Sequence, residues 1–252
     1  MPVDAQRVAS RLAERGKPLL VMHFREIDST SDEIKRQLKR DNRKDMLIVA
    51  DGQRSGRGRL GRDFYSPADT GLYFSLSCKG CHLKFPTQIT LAAASAVALS
   101  VEKLCETETG IKWVNDVYAN GKKTAGILTE MLPLEEESYY VIGIGINVST
   151  VGFPSGLSDI AGSLQSDVSH EELLIEIVDR LTDYLQGGRE EELLFEYRKR
   201  SFLLGNEIEY RKNGASRRAF ALAVADNGAL LVRHTDGTEE QLISGEVTLH
   251  KE

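Results

Sequence analysis

Apolar positions along the chain fall into blocks of two different periods. Val8 and Leu12, four residues apart among charged neighbours, mark one face of a short helix within residues 1–20, and a strand follows from Leu19 to Phe24. Thr30 with Glu33 three residues on has the form of a capping box, after which Ile34 and Leu38 begin an apolar helix face. The unbroken run Met46–Ala50, closed by Asp51, reads as a strand buried on both sides. Residues 71–79 (GLYFSLSCK) alternate like a half-buried strand, and residues 89–104 (ITLAAASAVALSVEKL) read as a core helix. Residues 110–132 read as strand, turn, strand about Asn120-Gly121, a strong hairpin signal, and residues 139–149 as another buried strand. Ser169 with Glu172 caps a helix through Leu185, and Arg189–Ser201 make one more.

After Gly205 the pattern shortens. EIEYRK, RAFALAVAD, ALLVRHTDG and QLISGEVTLH alternate in brief pieces separated by Asn-Gly and Asp-Gly turns. The prediction is an α+β chain, with a main domain over residues 1–204 and a small all-β barrel over residues 205–252.

Composition narrows what such a chain can do. At 41% hydrophobic residues there is enough for a real core, and the net charge of −6 is not that of a dedicated nucleic-acid binder. The N-terminus mixes both charge signs and lacks a continuous apolar stretch, so no secretory signal is read there. The apolar run Ile89–Val101 is broken by Thr90, Ser95 and Ser100 and is too short to span a bilayer; the expectation is a cytoplasmic protein with no membrane or DNA partner. Cys78-x-x-Cys81-His82 has the spacing of a haem-attachment site, but without an export signal or nearby further ligands it reads as a strand end with incidental thiols.

Against this acidic background, residues 53–62 (QRSGRGRLGR) are conspicuous for four arginines, three glycines and no acid. Gly56-x-Gly58-x-x-Gly61 has the dinucleotide-loop spacing, and a strand precedes it. The following RDFYSPADTG is turn rather than helix, however, and no acid closes the next strand, so the Rossmann reading fails; no Gly-Lys-Ser/Thr sequence supports a phosphate-binding loop either. Two readings remain even on composition: a solvated basic loop, or an anion clamp in which the glycines permit close approach and Arg57 and Arg59 grip a carboxylate or phosphate, open until a ligand orders it.

Further motifs follow in order: Asp28-Ser29-Thr30, the arginine loop itself, Lys112-Trp113-Val114-Asn115-Asp116, Lys123-x-Ala125-Gly126-Ile127-Leu128, Gly143-Ile144-Gly145-Ile146-Asn147 and Gly245-Glu246-Val247-x-Leu249. Together, over residues 22 to 250, they resemble the bacterial type of biotin–protein ligase. The resemblance implies a mixed sheet packed with helices, of the class II synthetase-like kind, followed by an SH3-like β domain. It implies that biotin and Mg-ATP (biotin, ATP and Mg2+ being the small molecules involved) give biotinyl-5′-adenylate and pyrophosphate, and that the acyl group then passes to a lysine of a biotin carboxyl carrier protein. Such chemistry needs no nucleophilic triad, because the biotin carboxylate is itself the nucleophile; the protein positions two anions and neutralises their charge.

By the same resemblance Ser29, Thr30, Ser31, Gln53, Arg57, Gly58, Arg59, Lys123 and Gly126 contact biotin, and Arg57, Arg59, Arg62, Phe64, Lys112, Asn115, Asp116, Lys123 and Asn147 contact ATP or the adenylate. Lys123, Arg59 and Asp116 carry the catalytic roles, with Asp116 serving magnesium or the entering lysine amine. Phe64 stands where the family commonly has a tryptophan for adenine, Trp113 reads as core, and Val114 replaces a common proline. The short stretch before the first motif predicts a ligase without the DNA-binding domain that some members use as repressors, and family members commonly form homodimers through sheet edges. The rivals are a lipoate–protein ligase or transferase, and a non-enzymatic RNA-binding module.

Overall fold

A computed structural model of the chain describes residues 3–40, 44–135, 137–212 and 214–250. Asp4 caps the first helix, α1 (Ala5–Glu14), by accepting from the N–H groups of Gln6 and Arg7, and Val8 and Leu12 are its buried side. There follow β1 (Leu20–Ile27), α2 (Thr30–Lys39), β2 (Met46–Gln53), β3 (Gly71–Lys79), α3 (Pro86–Cys105), β4 (Thr109–Lys112), β5 (Asp116–Ala119), β6 (Lys122–Pro133), β7 (Ser138–Asn147), α4 (His170–Leu185) and α5 (Glu190–Arg200). The strands make one mixed sheet in the order β1-β2-β3-β7-β6-β5-β4, in which β1 and β2 are parallel and every other pair is antiparallel.

Helices cover both faces of this sheet. On one face Leu47 and Val49 of β2, Leu72, Phe74 and Leu76 of β3, and Ile142, Ile144 and Ile146 of β7 join the buried sides of α1, α3, α4 and α5 in one core. On the other, Ile34 and Leu38 of α2 pack on Met46, Ile48, Tyr139 and Val141 in a second, smaller core. The helix α3 has the length and apolar composition of a membrane span, yet most of it lies inside the protein.

Four sequence readings are corrected. The first strand runs on to Ile27, three residues past Phe24. The cap of α2 is Ser29, whose Oγ accepts from the Asp32 N–H, so Thr30 is the first helical residue rather than half of a capping box. The strand β3 is buried on both faces, not half-buried, because α2 covers the side that its serines occupy. Residues 110–132 form three strands rather than two: the Trp113–Asn115 turn, with a cis Trp113–Val114 peptide, separates β4 from β5.

The remaining strands, β8 (Glu207–Lys212), β9 (Ala215–Val224), β10 (Leu230–Arg233), β11 (Glu239–Leu242) and β12 (Val247–Leu249), form an antiparallel sheet in the order β11-β10-β9-β8-β12. Gly214, Gly228 and Gly237 supply the positive φ that its tight turns demand; Asn213, the partner in the first Asn-Gly turn, lies outside the described residues. Its inner side chains, among them Ile208, Ala221, Val224 and Val232, belong to the same core as α3 and α5. The buried Trp113 joins the two sheets, its indole N–H donating to the Gly228 carbonyl at 3.0 Å.

Candidate active site

Side-chain size differs between the two faces of β3 and β7, and the difference creates a cleft. Opposite the large aliphatic residues of the main core, β7 carries Gly143, Gly145 and Asn147, which open the space beside the N-terminus of α2. The N-terminus of α2 and the segment from Arg57 to Tyr65 help to wall the space above them, together with Leu157 and Ile160 of the stretch after β7. That stretch is tied down where Lys123 N–H donates to the Ile160 carbonyl and Gly162 N–H to the Lys123 carbonyl. The cleft is about 1070 Å³, above the usual range for one small ligand and therefore roomy enough for two. Every site residue nominated from the sequence, from Ser29 to Asn147, lines it.

The floor is built from hydroxyls and one amide. The Thr30 N–H donates to Gln53 Oε1 at 2.9 Å, and the Thr30 hydroxyl lies 3.2 Å from the same oxygen. Gln53 Nε2 donates to Ser66 Oγ at 3.0 Å, and Ser66 donates to the Phe64 carbonyl at 3.0 Å. Gly56 of the arginine loop is required here, since a Cβ on it would lie 2.6 Å from Ser66 Oγ. The cross-strand row Asp116, Gly126, Gly145, Tyr73 lies beside this floor. The Phe64 ring rests on it, with Tyr73 edge-on at 6.4 Å between centroids.

The arginine loop is a short hairpin rather than an open strand of charges. Arg57 bridges to Asp63, Gly58 N–H donates to the Arg62 carbonyl at 2.7 Å, and Leu60 and Gly61 take left-handed backbone at the tip. Each cation it carries into the cleft has a protein partner. Arg57 pairs with Asp32 at 2.8 Å, Arg59 donates to Asn115 Oδ1 at 2.9 Å, and Arg62 makes a two-pronged pair with Glu246 at 2.9 and 2.6 Å. Asn115 in turn donates to Asp116 Oδ1 at 2.9 Å, and the same oxygen meets Lys123 Nζ at 2.7 Å. Burial pulls Arg59 and Lys112 below their ordinary pKa, with Asp116 opposing the shift in both. They are cations whose charge is incompletely solvated, which favours an added anion. The Arg62 guanidinium holds Glu246 below the usual carboxylate range.

A match to the Biotin/lipoate A/B protein ligase family covers residues 23–147. The chain is 34% identical over 232 residues to a Bacillus spizizenii protein named Bifunctional ligase/repressor BirA, covering 86% of this chain and 70% of that one. The chain belongs to the biotin/lipoate A/B protein ligase family. It is 30% identical over 184 residues to the Mycobacterium tuberculosis Biotin--[acetyl-CoA-carboxylase] ligase, with coverage of 67% and 65%. In structure it is similar to the biotin protein ligase from Aquifex aeolicus in complex with biotin and ATP, with a TM-score of 0.79, 28% identity and coverage of 92% and 99%. The chain spans 63% to 70% of the length of its Bacillus and Mycobacterium relatives.

In this ligase-family member the cleft joins a polar, hydroxyl-rich end to a cationic end, an arrangement suited to a small acid and a nucleotide bound head to tail. Asn147 donates to the Gly162 carbonyl at 3.1 Å, while its Oδ1 is buried with no partner among the described residues; an acceptor so placed suits an amino or hydroxyl hydrogen of a ligand. Among the described residues no group of three His, Cys, Asp or Glu side chains could hold a metal ion. Asp116 is the carboxylate of this cleft nominated for magnesium, and its Oδ1 already meets Asn115 and Lys123. The sequence reading missed Ser75, Ser66, Asp32 and the stretch after β7. For Ser75 a signal existed: in GLYFSLSCK the serines alternate with Leu72, Phe74 and Leu76 and so must share the opposite face.

Proposed function

We propose that the protein is a biotin–protein ligase that makes biotinyl-5′-adenylate from biotin and Mg-ATP and passes the biotinyl group to a lysine of a biotin carboxyl carrier protein. The observation that carries this reading is the junction, in one cleft, of the Thr30–Gln53 floor with the cations Arg57, Arg59, Lys112 and Lys123. Relatives named as biotin ligases and the fold shared with a biotin- and ATP-bound enzyme support it.

In the first step a biotin carboxylate oxygen bonds to the α-phosphorus of ATP, and the bond to the β-phosphate oxygen breaks with its electron pair leaving on pyrophosphate. Two anions must meet, so the barrier is largely electrostatic. Arg57, Arg59 and Lys123 exchange Asp32, Asn115 and Asp116 for ligand oxygens at little reorganisation cost, because their side chains are already held at the cleft. Lys123 offsets charge on the carboxylate and α-phosphate oxygens, then on the leaving adenylate. Phe64 walls the nucleotide and Asn147 accepts a hydrogen from it. In the second step the carrier lysine nitrogen bonds to the acyl carbon, AMP leaves, and Asp116 receives the amine or its proton. Asp116 would also help to hold the magnesium that accompanies ATP, which would neutralise phosphate charge there.

The division into a catalytic domain over residues 1–204 and a β domain over residues 205–252, the cytoplasm as location, and a homodimer belong to the same proposal. DNA is not among the partners proposed. A lipoate ligase shares the adenylate chemistry, but a dithiolane ring offers nothing to the floor's buried hydroxyls and amide, and unpaired polar groups there would weaken binding. The test is ATP–pyrophosphate exchange with each acid: exchange with biotin and none with lipoate is expected, and the reverse pattern would overturn the reading.

A further inference from the structure

Ser75 is fully buried on β3 and does not line the cleft, yet its hydroxyl is 2.8 Å from Thr30 Oγ1 and 2.9 Å from Ser31 Oγ. We propose that Ser75 is a positioning residue that sets which floor groups donate and which accept, so that the cleft selects a ring presenting an N–H beside a C=O, as a cyclic urea does. The inference rests on the biotin-ligase reading above and concerns how the ring, rather than the carboxylate, is chosen.

Hydrogen counting fixes the direction of the chain. The Phe64 carbonyl can only accept, so Ser66 spends its one proton there and must accept from Gln53 Nε2. The Thr30 backbone N–H can only donate, so it is Gln53 Oε1 that faces Thr30. That oxygen also lies 3.2 Å from the Thr30 hydroxyl, whose proton must point at it; otherwise two bare acceptors would face each other. With that proton committed, Thr30 Oγ1 can only accept from Ser75, and Ser75, its own proton committed, can only accept from Ser31.

The consequence appears at the cleft surface. Ser31 turns its proton inward and offers lone pairs to a ligand, while Gln53 Nε2 keeps its second proton free to donate. A ring N–H meets Ser31 and the adjacent carbonyl meets Gln53. Among the described residues Ser75 is the hydrogen-bond partner of Ser31 Oγ, and removing its oxygen frees the Ser31 proton to donate outward instead. Close packing keeps the relay together: a Cβ on Gly143, the cross-strand partner of Ser75, would lie 2.6 Å from Ser31 Oγ.

The experiment compares kcat/KM in pyrophosphate exchange for biotin and for its cyclic carbamate analogues, in which either ring N–H is replaced by oxygen. The wild type is expected to prefer biotin strongly over the analogue that sets oxygen against Ser31. Ser75→Ala is expected to shrink that preference by about tenfold, roughly one oriented hydrogen bond, with KM for ATP unchanged. Ser75→Cys, which keeps the packing but donates weakly, is expected to move in the same direction. Adding Ser75→Ala to Ser31→Ala is expected to change the preference no further. If Ser75→Ala and Ser75→Cys slow biotin and analogue by the same factor, Ser75 is merely structural and the inference falls while the ligase reading stands. A wild type with no biotin-dependent exchange overturns the ligase reading itself.

Discussion

Gly145 and Phe64 show how a missing side chain makes a binding wall. A Cβ on Gly145 would lie 2.5 Å from the Phe64 ring, which Gly126 on the next strand and Tyr73 also confine. Gly145→Ala is expected to push the ring from its seat and cut biotin- and ATP-dependent exchange by about tenfold or more, the effect of a misplaced contact. Phe64→Leu in the same chain should restore part of it; equal loss in single and double variants would show that the ring is not the obstacle. Asp28 gives a second test at this scale. Its pair with Arg36 lowers its pKa from 3.8 to about 2. Such a depressed carboxylate stabilises the fold fully above its unfolded pKa and loses that contribution as pH falls toward its folded value. The stability difference between wild type and Asp28→Asn, from urea unfolding, should therefore be constant above about pH 5 and vanish toward pH 2. The charged site residues were readable because the reaction demands cations and amides within fixed motifs. For Ser75 the alternation shows only which face it takes; its role comes from Thr30 and Ser31, 45 and 44 positions away.

Local signals place elements well and miss neighbours. The helix α2 starts one residue earlier than its capping pattern implies, because the Thr30 N–H and hydroxyl go to Gln53 on β2 while Ser29 takes the cap. Ser29→Ala is thus expected to cost about 1 kcal/mol of stability, with Ser29→Asp retaining most of it, as read from unfolding midpoints. If Ser29→Ala proves neutral, the cap assignment is wrong. The strand β3 reads as half-buried because alternation reports side-chain polarity, not what will cover a polar face; here α2 covers Ser75, which bonds to Thr30 and Ser31, and Ser77 accepts from the Met46 N–H. The break between β4 and β5 was hidden for a related reason. Asn115 lies in the turn between them, where its side chain and backbone serve Arg59, Asp116 and Ile127.

At the scale of the molecule, the C-terminal sheet is part of the main core and also a wall of the cleft. Trp113 reaches Gly228 from the turn that presents Asn115 and Asp116, and Glu246 holds Arg62 of the anion loop. Trp113→Phe keeps an aromatic ring but leaves the buried Gly228 carbonyl without its indole donor. The expected cost is about 1–3 kcal/mol, with faster hydrogen exchange around the β9–β10 turn; unchanged exchange there would show that the bond does not couple the two sheets. The sequence by itself determined the order of helices and strands, the change to short β pieces after Gly205, and the set of polar groups offered to a ligand, since periodicity, turn residues and side-chain chemistry are local properties. Only the tertiary structure decided which groups meet: that Asp32, Asn115, Asp116 and Glu246 hold the cations, that glycines on β6 and β7 make room for Phe64, and that buried Ser75 orients the floor. Those are contacts between residues far apart in the chain, and hydrogen-bond direction and close packing exist only once the sheet has brought them together.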